Sequence, residues 1–85
     1  MYWDAVFVKP EENFTLHVRF ADGLEGKVHF LPSRLKKTIF QSLSDESYFK
    51  KVYIDHGVIT WSEDLDLAPD TMHSEIEKNG EWVLS

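Results

Sequence analysis

The chain has 85 residues, nine Lys and Arg against fifteen Asp and Glu, a formal charge of −6 and no cysteine. That length holds one domain with a thin core. The absence of thiols excludes disulfides, iron–sulfur clusters and Cys-type zinc sites, and the acidic balance argues against nucleic acid or an anionic membrane as the main partner.

The first thirty residues alternate. Trp3, Ala5 and Phe7 fall on one side of an extended run and Asp4, Val6 and Val8 on the other. Pro10 ends that run and Glu11-Glu12-Asn13 reads as a turn. Leu16, Val18 and Phe20 then alternate with Thr15, His17 and Arg19, the pattern of a half-buried strand. Asp22-Gly23 supplies the positive φ angles of a tight turn. The return strand sets Gly26, Val28 and Phe30 against Glu25, Lys27 and His29. Leu35, Ile39, Phe40 and Leu43 recur at helical spacing over Arg34–Leu43. A second helical turn starts at Ser44, a plausible N-cap, followed by Asp45 and Glu46 at the positive end and Lys50 and Lys51 at the negative end.

Val52-Tyr53-Ile54 and Val58-Ile59-Thr60-Trp61 flank Asp55-His56-Gly57, a second hairpin. Pro69-Asp70 opens a closing helix with Met72 and Ile76 on one face, stopped by Asn79-Gly80. Trp82, Val83 and Leu84 in the last residues suggest docking. The expected fold is α+β: two layers, a small antiparallel sheet, order β-β-β-α-β-β-α, in one domain over 1–85 with a tail at 77–85. No apolar run approaches the ~20 residues of a membrane helix. Met1-Tyr2-Trp3-Asp4 lacks the basic and apolar regions of a secretory signal, so a cytoplasmic protein is expected.

The charge is not spread evenly. Residues 1–61 hold eight acids and eight bases, whereas residues 62–85 hold seven acids and only Lys78, the whole of the −6. The acids Glu63, Asp64, Asp66 and Asp70, with His73 nearby, are the best metal candidates, since carboxylates suit Ca²⁺ or Mg²⁺ and an added His suits a transition metal. Their spacing lacks the alternate ligands, central Gly and terminal Glu of a calcium loop. The preferred reading has Asp70 capping the helix, Asp66 accepting backbone bonds and the others solvated, so no metal or cofactor is expected.

His17 and His29 fall on the wet faces of adjacent strands, where they could come close, but no catalytic arrangement follows from four surface-type histidines. Arg34, Lys36 and Lys37, with Lys50 and Lys51 beside Tyr48 and Phe49, form a local basic patch without a recognised nucleic-acid motif. Trp3, Trp61 and Trp82 are core or rim candidates, and Trp is enriched at interfaces.

Trp3-Asp4-Ala5-Val6-Phe7-Val8-Lys9-Pro10, Leu16-His17-Val18-Arg19-Phe20-Ala21-Asp22-Gly23, and Val58-Ile59-Thr60-Trp61 followed by Asp66-Leu67-Ala68-Pro69-Asp70 together resemble a small bacterial family known as domain of unknown function 2442. The likeness covers about residues 2–76, and its most specific part is Trp-spacer-Asp-Leu-Ala-Pro-Asp. The resemblance implies a compact α+β domain with an antiparallel sheet. It also implies short stand-alone proteins, some encoded beside a second small protein of toxin-like character, the source of an antitoxin reading. It carries over no catalytic residue. This chain departs from the family pattern at Ser62, where Pro is frequent, at Glu63-Asp64, where Asn-Gly is frequent, and at His73, where an aromatic is usual.

The reading that follows is a non-catalytic protein-interaction or antitoxin-like accessory module. Its expected partner is a small basic protein met by the acidic C-terminal third, with Trp61, Glu63, Asp64 and Trp82 as contact candidates. A homodimer stays open. Two other readings stand beside it: a metal-binding or regulatory domain built on the acidic loop 63–73, and a nucleic-acid-binding regulator using the basic patch.

Overall fold

The computed structural model describes residues 1–31, 43, 45–62 and 65–84. Its elements are β1 (Ala5–Glu11), β2 (Thr15–Phe20), β3 (Glu25–Phe30), α1 (Glu46–Phe49), β4 (Tyr53–Asp55), β5 (Val58–Ser62), β6 (Leu65–Asp66), α2 (Pro69–Asn79) and β7 (Glu81–Leu84). The fold is α+β, as the sequence pattern implies. The helix expected over Arg34–Leu43 lies, apart from Leu43, outside the described residues.

β1, β2 and β3 form an antiparallel meander, and β7 pairs parallel to β3, giving a four-stranded sheet in the order β1-β2-β3-β7. β4, β5 and β6 form a second, antiparallel sheet. The last residues are therefore a strand rather than a docked tail. Gly80, at φ 80, ends α2 and donates its N–H to the Ile76 carbonyl at 2.7 Å, and this left-handed residue lets β7 start at once. Trp82 then pairs with Val28 and packs against the core.

Strand alternation holds on β2 and β3, where Leu16, Val18, Phe20, Val28 and Phe30 are all buried. On β1 it breaks. A bulge between Ala5 and Phe7 sets Ala5 opposite Phe20 but Phe7 opposite Arg19. One inserted residue moves the following side chains to the other face. Ala5 is thus buried while Phe7 points outward, instead of the two sharing a side.

The turns follow local chemistry. Gly23, at φ 94, closes the β2–β3 hairpin, and Asp22 Oδ1 accepts the Leu24 N–H at 3.0 Å. His56 and Gly57, at φ 51 and 82, both take the left-handed region that a two-residue hairpin requires between β4 and β5. α1 is capped by Asp45, whose side chain accepts the Ser47 N–H at 2.9 Å, rather than by Ser44. β6, two residues long, leaves no sequence signal because pairing with β5, not periodicity, defines it.

One face of the four-stranded sheet is covered by α1, α2, Leu43 and the second sheet. Phe30, Phe49 and Trp61 meet with ring centroids 5.4 to 6.1 Å apart, and Phe14 joins at Phe49. Trp61 is 5% exposed and donates its indole N–H to the Phe49 carbonyl at 2.9 Å. Leu65 and Leu67 also turn inward.

Two substitutions test this packing. A side chain on Gly26 would place Cβ 2.8 Å from the Gly80 carbonyl oxygen and press on Ile76, so Gly26→Ala is expected to destabilise by about 1–3 kcal/mol in urea unfolding. Trp61→Phe keeps the aromatic packing but orphans the Phe49 carbonyl, with an expected loss of about 1–2 kcal/mol in the same measurement.

Candidate functional site

The closing helix α2 shows where the sequence-derived site residues go. Its buried stripe is Met72, His73 and Ile76. A polar ring on such a stripe must find a partner, because an unpaired buried polar group costs several kcal/mol, roughly 2–7 by transfer measurements. His73 finds it 51 residues away in sequence: Nε2 lies 2.8 Å from Asp22 Oδ2, in the β2–β3 turn. The edges of the Tyr2 and Phe20 rings meet the imidazole at centroid distances of 5.0 and 4.9 Å. Three separate pieces of chain, the residues before β1, the hairpin turn and α2, thus converge on one side chain.

Asp22 is held at both oxygens, by His73 and by the Leu24 N–H. These hydrogen bonds, the one to His73 foremost, keep its carboxyl below the ordinary aspartate range. Nothing in the local sequence marks this pair. The available signal was His73 itself, a polar residue between apolar positions of an amphipathic helix.

The metal candidates among the described residues do not gather. His73 faces Asp22 and is 3% exposed, while Asp66 on β6 and Asp70 in the first turn of α2 are exposed to solvent. Glu63 and Asp64 lie outside the described residues. Among the described residues no group of three or more His, Asp or Glu is placed to hold a metal ion. The capping role expected of Asp70 is also modified. Ala68 occupies the N-cap without a side-chain bond, Pro69 is the first helical residue, and Asp70 Oδ1 accepts the neighbouring Thr71 N–H at 2.9 Å. Pro69 at the first helical position has no N–H to leave unpaired and a φ already suited to the helix, which helps it to start without a side-chain cap.

Of the contact candidates, Trp61 is a core residue, and Trp82 is half-buried against its own domain. The basic patch is only partly in view: Arg34, Lys36 and Lys37 lie outside the described residues, Lys50 pairs with Glu46 at 3.0 Å, and Phe49 is buried rather than available for stacking.

The outward face of the four-stranded sheet carries a row of contacts between acidic and basic side chains. His17 Nε2 lies 3.2 Å from Glu25 Oε1, and His29 Nε2 lies 3.0 Å from Glu81 Oε2 while its Nδ1 meets the Thr15 hydroxyl at 3.2 Å. Lys27 bonds Glu11 and, chiefly by that hydrogen bond, holds the Glu11 carboxyl below its usual range. His17 and His29 share the face, as expected, but each turns to its own acid rather than to the other.

A family model described as "Protein of unknown function (DUF2442)" matches residues 5–78. The chain belongs to that family. No curated protein and no solved structure matches it. The matched region runs from the start of β1 to the last turn of α2, and so includes both partners of the Asp22–His73 pair.

Because folding lowers the Asp22 pKa, the pair contributes stability above the ordinary aspartate range and loses it as pH falls through the depressed folded value. Asp22→Asn is therefore expected to lower the urea midpoint at neutral pH. The gap between wild type and variant is expected to narrow once pH drops below the carboxylate range. A gap that stays constant down to strongly acid pH would show that the Asp22 charge contributes nothing.

Proposed function

We propose that this member of the DUF2442 family is a non-catalytic, antitoxin-like protein-binding module whose acidic side meets a small basic protein. The supporting observation is where the surplus charge of the C-terminal third comes to lie. α2 turns Met72, His73 and Ile76 inward and leaves Asp70 and Glu77 exposed. Asp66 is exposed on β6 before it, with Glu75 half-exposed. Lys78 is the single base within this β6–α2–β7 unit.

A surplus of acids held on a rigid helix and the strand before it steers an oppositely charged partner and suppresses wrong ones, acting mainly on association rate. The family resemblance supports a partner protein, since some members are encoded beside a second small protein. The metal reading draws less support, because the histidine it needs is already bonded to Asp22 inside the fold.

The test is retention of protein from lysate of the source cells by the immobilised chain at low salt. A basic protein is expected on the wild type and not on the double variant Asp70→Lys, Glu77→Lys, with the association rate of the purified pair about tenfold lower for the variant. Recovery of no protein by the wild type, or equal recovery by both, overturns the reading. Both substituted side chains are exposed, so the variant is expected to fold. Among the described residues no helix is long and apolar enough to cross a membrane.

A further inference from the structure

The sheet face opposite α2 carries a group that the acidic side does not use. Each of three acids there is held by a base from another strand, Glu11 on β1 by Lys27 across β2, and Glu25 by His17 and Glu81 by His29 on adjacent strands. Among the described residues, Lys9 and Arg19 on the same face have no acid within ion-pair distance. These two cations flank Phe7: Lys9 stands two residues further along β1, and Arg19 lies directly opposite Phe7 on β2.

The Arg19 guanidinium carbon is 5.6 Å from the Phe7 ring centroid. His17, opposite Lys9, meets the ring edge-on at 5.9 Å. Phe7 is 39% exposed, and it faces outward only because the β1 bulge re-aims it. Bulges that turn a large apolar side chain toward water are features that need a reason, since burial would stabilise the same ring by about 2 kcal/mol.

We propose that Phe7, Lys9, His17 and Arg19 form a platform for a short stretch of single-stranded nucleic acid, with a base stacked at Phe7 and flanking phosphates on Lys9 and Arg19. An open sheet face with an exposed aromatic between unpaired cations supplies the two things such a ligand needs, a π-surface and counter-charge. An acidic peptide would use the cations but would gain little from the ring. A duplex keeps its bases stacked inside and would bring a longer polyanion against a chain of net charge −6. The platform is separate from the acidic side, so it stands or falls independently of the protein partner.

Fluorescence anisotropy of the full chain against labelled oligouridine and oligothymidine of about twelve nucleotides, and a duplex of equal length, tests this at about 50 and 200 mM salt. Saturable single-strand binding is expected, weakened about tenfold by Phe7→Leu, which keeps apolar bulk but removes the stacking surface. Lys9→Gln with Arg19→Gln is expected to reduce the log–log salt slope by about 1.4. Tighter binding of oligouridine assigns the platform to RNA, and equal binding to single strands of either sugar. Circular dichroism of the variants confirms that the fold is kept. No binding at low salt, equal affinity for duplex, or equal competition by polyglutamate with no effect of Phe7→Leu overturns the proposal, the last in favour of an acidic protein segment.

Discussion

Every other feature of the molecule depends on the need to cover one face of the four-stranded sheet. Leu16, Val18, Phe20, Val28 and Phe30 are at most 2% exposed and lie on one side of the two central strands, β2 and β3. A sheet this small is not stable with such a face in water. Among the described residues after β3, the cover comes from Leu43, α1, the β4–β6 sheet and α2. The chain then returns as β7, which adds a fourth strand beside β3 through parallel pairing. Parallel neighbours need a long crossover, and the residues between β3 and β7 are that crossover.

Covering one face leaves the other to water, and the two sides of the molecule differ chemically as a result. The helix side exposes acids because α2 spends its apolar positions inward. The sheet side alternates acids and bases across strands, so that most of its charge is internally paired. The formal charge therefore describes neither surface. Among the described residues, α2 exposes more acids than bases, whereas on the sheet face Glu11, Glu25 and Glu81 balance Lys9, Arg19 and Lys27. A net charge constrains solubility and non-specific association, but recognition follows the local distribution.

The Asp22–His73 pair shows how a polar residue can close a fold. Its partners belong to the hairpin turn and to the closing helix, and Tyr2 from the residues before β1 lies against the imidazole. The turn geometry that gives Asp22 a bond to the Leu24 N–H also aims its second oxygen at His73. Local turn chemistry and long-range packing are satisfied by one carboxylate. Those bonds, the one to His73 foremost, hold the Asp22 carboxyl below the ordinary aspartate range, and the histidine beside it is 3% exposed.

Much of the architecture was legible in the residues. Period-two alternation marked β2 and β3, Asp22-Gly23 and His56-Gly57 marked their turns, and Pro69 and Gly80 bounded α2, because these signals come from local sterics and backbone dihedrals. Four things were not. The β1 bulge reversed the facing of Phe7, Asp45 replaced Ser44 as a cap, β7 appeared where a tail was expected, and His73 left the acidic loop for Asp22. Each depends on which distant segment a residue meets. A bulge is defined by the partner strand, a parallel strand by its neighbour's register, and a buried histidine by the acid that can reach it. Local backbone preference is carried by the sequence near each residue, but pairing across tens of residues is decided only when the apolar face of the sheet is covered.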